Sequence, residues 1–200
     1  MNYRTLKGST LLSPVPAVLV SAGNAAGQKN ALAIAWAGTV CSHPPMVSVS
    51  IRPSRYSYDM ICESGEFVIN LCDERLLPVL DYCGVRSGRD EDKVQKTGIS
   101  WMKADGMQFA SAVDGAPVYL SCKVAQRIPL GSHDMFLAEV VSMGVRDDLF
   151  MPDGQIDLKK AHLIAYSHGV YQGLGEALGF FGYSVAALDV LERRMNALKE

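Results

Sequence analysis

The sequence predicts a mainly β fold, an antiparallel barrel with few helices, on three observations. Most of the chain divides into short runs of alternating apolar and polar residues, separated by Gly, Pro and Asn turns. Strand-like runs do not alternate with helical ones, as a doubly wound parallel sheet would require. Neither Gly-x-Gly-x-x-Gly between a strand and a helix nor a P-loop is present, so a nucleotide would have to be held another way.

The elements follow in order. Val15–Ala22 reads as a first strand, ending at Gly23-Asn24. Residues 30–40 are the most informative stretch. Ala31, Ala33, Ala35, Ala37 and Thr39 are small, and Leu32, Ile34, Trp36 and Val40 between them are large. In a strand this pattern gives one face of methyl groups, close to which a flat ring or another backbone can lie, with Asn30 at its start. A buried Ala-rich helix and close packing on a neighbouring strand are the competing readings. After Pro44-Pro45, Met46–Arg52 alternates again, with Ser48, Ser50 and Arg52 on one face. It breaks at Pro53 into Ser54-Arg55-Tyr56-Ser57-Tyr58 and a short helix to about Glu63. Arginines and serines at a helix N-terminus suit a phosphate, the competing reading being a solvated turn capped by Ser54. Beside the methyl shelf, that anion site points to a nucleotide, and flavin mononucleotide (FMN) fits best.

Phe67–Leu71 is the next strand, and Asp73 caps a helix with Leu76, Leu77, Leu80 and Cys83 on one side, closed by Gly84. Pro78 inside that segment predicts a kink or a later start. The charged stretch 84–98 reads as a solvated loop and helix in which Arg86, Ser87, Arg89 and Lys93 are placed to close over a phosphate. Val118–Arg127 and Met135–Val145 form a long antiparallel pair joined through Gly131-Ser132-His133-Asp134. Ser184–Lys199 is an amphipathic helix whose stripe of Val185, Leu188, Leu191, Met195 and Leu198 must cover the domain or a second subunit.

Composition narrows the classes. A net charge of −2 without a Lys/Arg cluster argues against nucleic acid, and no apolar run approaches the ~20 residues of a membrane span. Five scattered cysteines without a Cys-x-x-Cys pair argue against a disulfide framework or a metal site. With no signal-peptide layout at the N-terminus, a cytoplasmic location is expected.

These pieces together resemble the flavin reductase-like, FMN-binding split-barrel family, and within it the flavoredoxin-type branch. The resemblance spans roughly residues 11–184. It rests on Asn-x-x-x-x-x-Trp at Asn30–Trp36, Pro44-Pro45, the run Val49–Tyr58, Gly65–Asn70, Ser87–Lys93, and His-Gly-x-Tyr at His168–Tyr171. It implies a six-stranded antiparallel Greek-key split barrel with a few peripheral helices and a C-terminal helix, working as a homodimer with one FMN per subunit. The expected division is a barrel domain over 1–184 and a helical extension over 185–200. By the same resemblance Asn30, Ala31, Ala33, Ala35 and Trp36 serve the ring and ribityl chain. Ser50, Ile51, Arg52, Ser54, Arg55, Ser57 and Tyr58 serve the ribityl–phosphate end, Asn70 and Leu71 flank the ring, and Ser87 and Lys93 reach the phosphate.

The implied activity is an oxidoreductase passing electrons from NAD(P)H through FMN to a flavin, ferric or protein acceptor. Flavin chemistry asks little of side chains as acids or bases, so no nucleophile–base pair is expected. The alternatives are a flavoredoxin-type carrier with tightly held FMN, reduced by a redox protein, and a flavin-binding module without turnover. NAD(P)H-dependent members carry Gly-Asp-His where this chain has Gly131-Ser132-His133, with the acid displaced to Asp134. His133 is the candidate nicotinamide contact.

Overall fold

The computed structural model describes residues 1–198. In chain order the strands are β1 (Val15–Pro16), β2 (Val18–Gly23), β3 (Lys29–Ile34), β4 (Ala37–Ser42), β5 (Pro45–Ile51) and β6 (Glu66–Leu71). They continue with β7 (Trp101–Lys103), β8 (Ser111–Val113), β9 (Val118–Pro129), β10 (Asp134–Val145), β11 (Ile164–Ser167) and β12 (Val170–Gly173). The helices are α1 (Tyr56–Ser64), α2 (Leu77–Val85), α3 (Lys93–Thr97) and α4 (Leu188–Ala197).

The main sheet runs β3-β2-β6-β9-β10-β5-β4, with every neighbouring pair antiparallel. Its two edge strands are consecutive in the chain. The predicted strand 30–40 is therefore not one strand: it bends at Ala35-Trp36, and its halves pair at opposite edges of the sheet. Counting 29–42 once gives the six strands of a barrel. Across the seam the Ser50 N–H donates to the Trp36 carbonyl at 2.9 Å, extending the β4–β5 ladder through the bend.

The alternation within each strand decides what lies inside. Leu32 and Ile34 join Val18, Val20, Val47, Val49, Ile51, Phe67, Ile69 and Phe136 in the interior, and α1 closes one end with Tyr58 and Ile61. Each such side chain, fully buried, contributes roughly 1.5–3 kcal/mol. The small residues face outward. Ala31, with Ala17 and Leu19, lies under Leu80 and Cys83 of α2, so at that position the methyl face is used for packing.

Several boundaries differ from expectation. Helix α1 begins at Tyr56, because Arg52–Arg55 first form a turn in which the Arg55 N–H donates to the Arg52 carbonyl. Asp73 caps the turn ahead of α2 by accepting from the Arg75 and Leu76 N–H groups. Pro78 then falls in the first helical turn, where it is tolerated, and Gly84 lies inside the helix. The β7–β8 hairpin was not foreseen. Helix α4 is shorter than the predicted 184–199, of which Lys199 lies outside the described residues. Val185 and Leu188 of its stripe are strongly exposed, and only Leu191, Met195 and Leu198 are partly covered. No helix among the described residues is long and apolar enough to cross a membrane.

Candidate functional site

A cleft of about 690 Å³ opens where β3 bends away from β2, between the end of β5, the N-terminus of α1, the C-terminal end of α2 and the β11–β12 hairpin. Ala33, Ala35 and Trp36 form one wall, Ser50, Ile51, Arg52, Ser54 and Arg55 the adjoining end, and Asn30, Ser87 and Lys93 the floor. His133 stands at the rim, its ring 5.2 Å from that of Trp36 and tilted 57° to it. Eleven of the sixteen cofactor residues expected from sequence therefore meet in one cleft, joined by the candidate nicotinamide contact.

The polar end is built to receive an anion. Helix α1 has no side-chain cap, which leaves N-terminal N–H groups without a side-chain acceptor. Arg52 makes no ion pair among the described residues, and Arg55 is steadied by donating from Nη1 to the Gly84 carbonyl at 3.2 Å. Arg86 and Lys93 line the same cleft, against one acid, Asp81, which accepts from the Tyr171 hydroxyl at 3.1 Å. Arg86 is paired with Glu91 at 3.7 Å, which leaves Arg52 and Arg55 as the cations an anionic ligand would balance.

Lys93 is buried and donates from Nζ to the Ala31 carbonyl at 2.9 Å and the Cys83 carbonyl at 3.1 Å. Burial lowers its pKa, and the same burial raises that of the neighbouring Cys83 thiol. His133 is held below the ordinary histidine value by burial first and by the positive charges of Arg52 and Arg55 second. Its Nδ1 lies 2.9 Å from the Ser132 hydroxyl.

Two glycines set how closely the walls approach. A Cβ on Gly88 would overlap Asn30 Oδ1 and stand 2.7 Å from Tyr56 Cδ1, so the 86–90 loop can close on the floor only with glycine there. A Cβ on Gly84 would come within 3.2 Å of the Ala33 Cβ, so the end of α2 reaches half across the shelf.

The remaining five predicted residues lie elsewhere. Ala31 is under α2. Ser57 is fully buried behind the cleft, accepting from Asn30 Nδ2 at 2.7 Å, and so orients Asn30. Tyr58 points into the barrel end, donating to Asp134 Oδ2 at 2.5 Å. Asn70 is a fully buried hub: Nδ2 donates to the Leu19 carbonyl and Ser21 Oγ, and Oδ1 accepts from the Val113 N–H. Leu71 packs against the core beside it. Arg89, also expected near the phosphate, instead donates to the Ser54 carbonyl at 2.8 Å and pairs with Asp59 at 3.6 Å.

Sequence reasoning gave no site role to Tyr166, Gly169 and Tyr171, which line the far side of the cleft from the hairpin. The tyrosine rings lie 5.5 Å apart, and burial together with Asp81 pushes the Tyr171 hydroxyl up to about 12. The His168–Tyr171 motif was the available signal. Asp81 lies 90 residues from Tyr171, too far for any local pattern to pair them.

The family profile described as flavin reductase like domain matches residues 11–175. The chain belongs to this family. It is similar to the flavoredoxin of Desulfovibrio vulgaris (Miyazaki F), with 28% identity and a TM-score of 0.84 over 92% of this chain and 99% of that one. The flavoredoxin from Methanosarcina acetivorans shares the fold at 23% identity, with a TM-score of 0.82 over 98% of this chain and 100% of that one. The FMN reductase (NADH) RutF of Pseudomonas syringae pv. syringae is 31% identical over 110 residues, covering 54% of this chain and 59% of that protein.

Proposed function

We propose that this chain holds FMN in the cleft and transfers electrons as a flavoredoxin-type carrier, receiving them from a redox protein. The observation that most supports FMN in the cleft is the meeting there of the small-sided wall Ala33–Ala35 with Arg52, which makes no ion pair among the described residues, and with the uncapped start of α1. FMN supplies a ring that accepts and releases electrons singly or in pairs. The protein's part is to bind and orient it. Ala33 and Ala35 leave room for a planar ring, Trp36 and Tyr171 bound its edges, and Asn30 offers an amide to the chain between ring and phosphate. Arg52, Arg55, Ser54 and the α1 N–H groups hold the phosphate, with Ser87 and Lys93 closing from the opposite side.

Reduction by NAD(P)H is the second reading, favoured by one observation: His133 and Trp36 frame an aromatic mouth beside the expected ring position. The displaced acid argues the other way, because Asp134 points into the barrel and offers the mouth no carboxylate. A homodimer is part of the proposal, supported by the exposed Val40 on β4 and Val141 and Met143 on β10.

Loading the purified protein with FMN tests the reading. One FMN should bind per chain, and Ala35→Leu should give a folded protein that does not retain it; normal retention by that variant would place the ring elsewhere. Anaerobic mixing then separates the two donors. The carrier reading expects NADH and NADPH to leave the bound flavin oxidised over many minutes, while a reduced ferredoxin bleaches it. Bleaching by NAD(P)H at turnover rates would establish the second reading.

A further inference from the structure

We propose that Tyr58, Asp134 and Arg127 form a clamp that holds His133 against Trp36 at the mouth of the cleft, making all three positioning residues for a planar heteroaromatic electron partner. The purpose of this clamp rests on the FMN reading above; its geometry does not. None of the three lines the cleft. They come from three elements, α1, β10 and β9, and meet where the barrel end is closed. The Tyr58 hydroxyl donates to Asp134 Oδ2 at 2.5 Å, Arg127 Nη1 donates to the Tyr58 hydroxyl at 3.2 Å, and Arg127 Nε lies 3.7 Å from Asp134 Oδ2. The Tyr58 ring is itself fixed edge-on to Phe136 at 5.6 Å.

Asp134 is the first residue of β10 and His133 is the last residue of the turn before it, so pinning the Asp134 side chain in the barrel end fixes the backbone from which His133 projects. With Asp134 turned inward and 7% exposed, His133 is turned outward to the rim. The start of β10 needs such a pin. Register shifts occur further along at Leu137/Ala138 and Val140/Ser142, and a one-residue slip at the start of β10 would turn Asp134 out of the barrel end and move the turn that carries His133. The turn from Leu130 to His133 has one main-chain closure of its own, the Leu130 N–H donating to the His133 carbonyl at 2.9 Å. A buried carboxylate is a costly way to fill a barrel end that a leucine would fill. Its hydroxyl and guanidinium partners make it directional, and direction is what the adjacent histidine requires.

The test uses the apoprotein, with Trp101→Phe leaving Trp36 as the only tryptophan. A protonated histidine against an indole quenches its fluorescence. The parent should therefore show a pH-dependent quench with a midpoint below 6.5, abolished by His133→Ala. Tyr58→Phe and Asp134→Asn should each cut the quench amplitude by about half or more and move its midpoint up toward the ordinary histidine value. In FMN-loaded protein the same variants should hold FMN within about two-fold of the parent. They should also raise several-fold the half-saturating concentration of free riboflavin as the acceptor of electrons from the reduced protein, and lose that effect in a His133→Ala background. Folded variants with the parental quench and midpoint would overturn the clamp. If Asp134→Asn does not fold, Tyr58→Phe decides alone. A parent that binds no FMN would remove the assigned purpose, while the fluorescence arm would still decide the geometry.

Discussion

At the residue scale the proposed function turns on Arg52 and Arg55, whose guanidinium groups face a cleft with little negative charge to meet them. Charge-assisted hydrogen bonds contribute about 1.5–3 kcal/mol each, and every ~1.4 kcal/mol is tenfold in affinity. Arg52→Ala with Arg55→Ala is therefore expected to weaken FMN about 100-fold or more, and to bring it level with riboflavin, which lacks the phosphate. Titration of flavin fluorescence measures both, and a preserved preference for FMN would move the phosphate elsewhere. The same two charges act on His133. Burial first, and then the cost of protonating it beside two guanidinium groups, hold its midpoint below the ordinary value. A phosphate dianion bound between the arginines offsets that cost, so FMN or inorganic phosphate should raise the midpoint, read by NMR of the imidazole. By linkage, acidification through that midpoint should tighten anion binding. The sign for stability is opposite to that for binding: the unfolded chain takes up the proton more readily, so this contribution is present above about pH 6.5 and is lost as pH falls through the folded midpoint. That these charged residues lie together at the cleft was legible because Arg52-Pro-Ser-Arg55 is a local pattern at a strand end. Tyr58, three residues on, carried the same signal and faces the barrel instead, since its direction is set by α1 and by Asp134 76 residues away.

At the scale of the element, β3 shows what alternation reveals and what it hides. Period-two size alternation correctly separates Leu32 and Ile34, which face the interior, from Ala31, Ala33 and Ala35, which face out. What covers each alanine is settled by α2 and α3, which local periodicity does not register. Leucine substitutions along the strand should therefore diverge. Ala31→Leu overpacks a site already filled by Leu80 and Cys83 and is expected to cost about 1–3 kcal/mol in chemical denaturation. Ala35→Leu should leave the denaturation midpoint nearly unchanged and remove FMN binding. Equal effects on stability would mean the two alanines share one environment. Asn70 makes the same point from β6. A lone polar residue in an apolar strand reads equally as a ligand contact or as an internal tie, and its partners in β2 and β8 are unreadable from its own segment. Because it joins three strands, Asn70→Ala leaves the Val113 N–H and other buried groups without partners, at about 1–3 kcal/mol for each one stranded. We expect a marked drop in the denaturation midpoint at unchanged slope; unaltered stability with lost FMN binding would return Asn70 to the cofactor.

For the whole molecule, the mainly β class was legible because its evidence is repeated in every strand, whereas closure of the barrel depends on one bend at Ala35-Trp36. Small residues on both sides of Trp36 continue the alternation through the bend, so the sequence reads as one strand where the sheet needs two. The C-terminal segment was legible in kind and not in placement. Its helix forms with the expected amphipathic period, yet Leu178, Phe181, Val185 and Leu188 stand exposed, and the segment is steadied by Arg194 over the Phe180 ring at 4.0 Å and by Lys159 Nζ donating to the Leu198 carbonyl at 2.9 Å. Neither contact reaches the cleft. Ending the chain after Gly175, the last residue matched by the family profile, therefore tests how independent the barrel is. The truncated protein is expected to melt within a few degrees of the full chain and to bind FMN with affinity unchanged within about two-fold. Its mass in solution carries separate information. If the proposed homodimer forms and the exposed stripe contributes to it, sedimentation should show a larger monomer fraction at low micromolar concentration than the full chain does. An unchanged dimer would assign the interface to β4 and β10 alone, and a collapse in melting temperature would show that the segment belongs to the core after all.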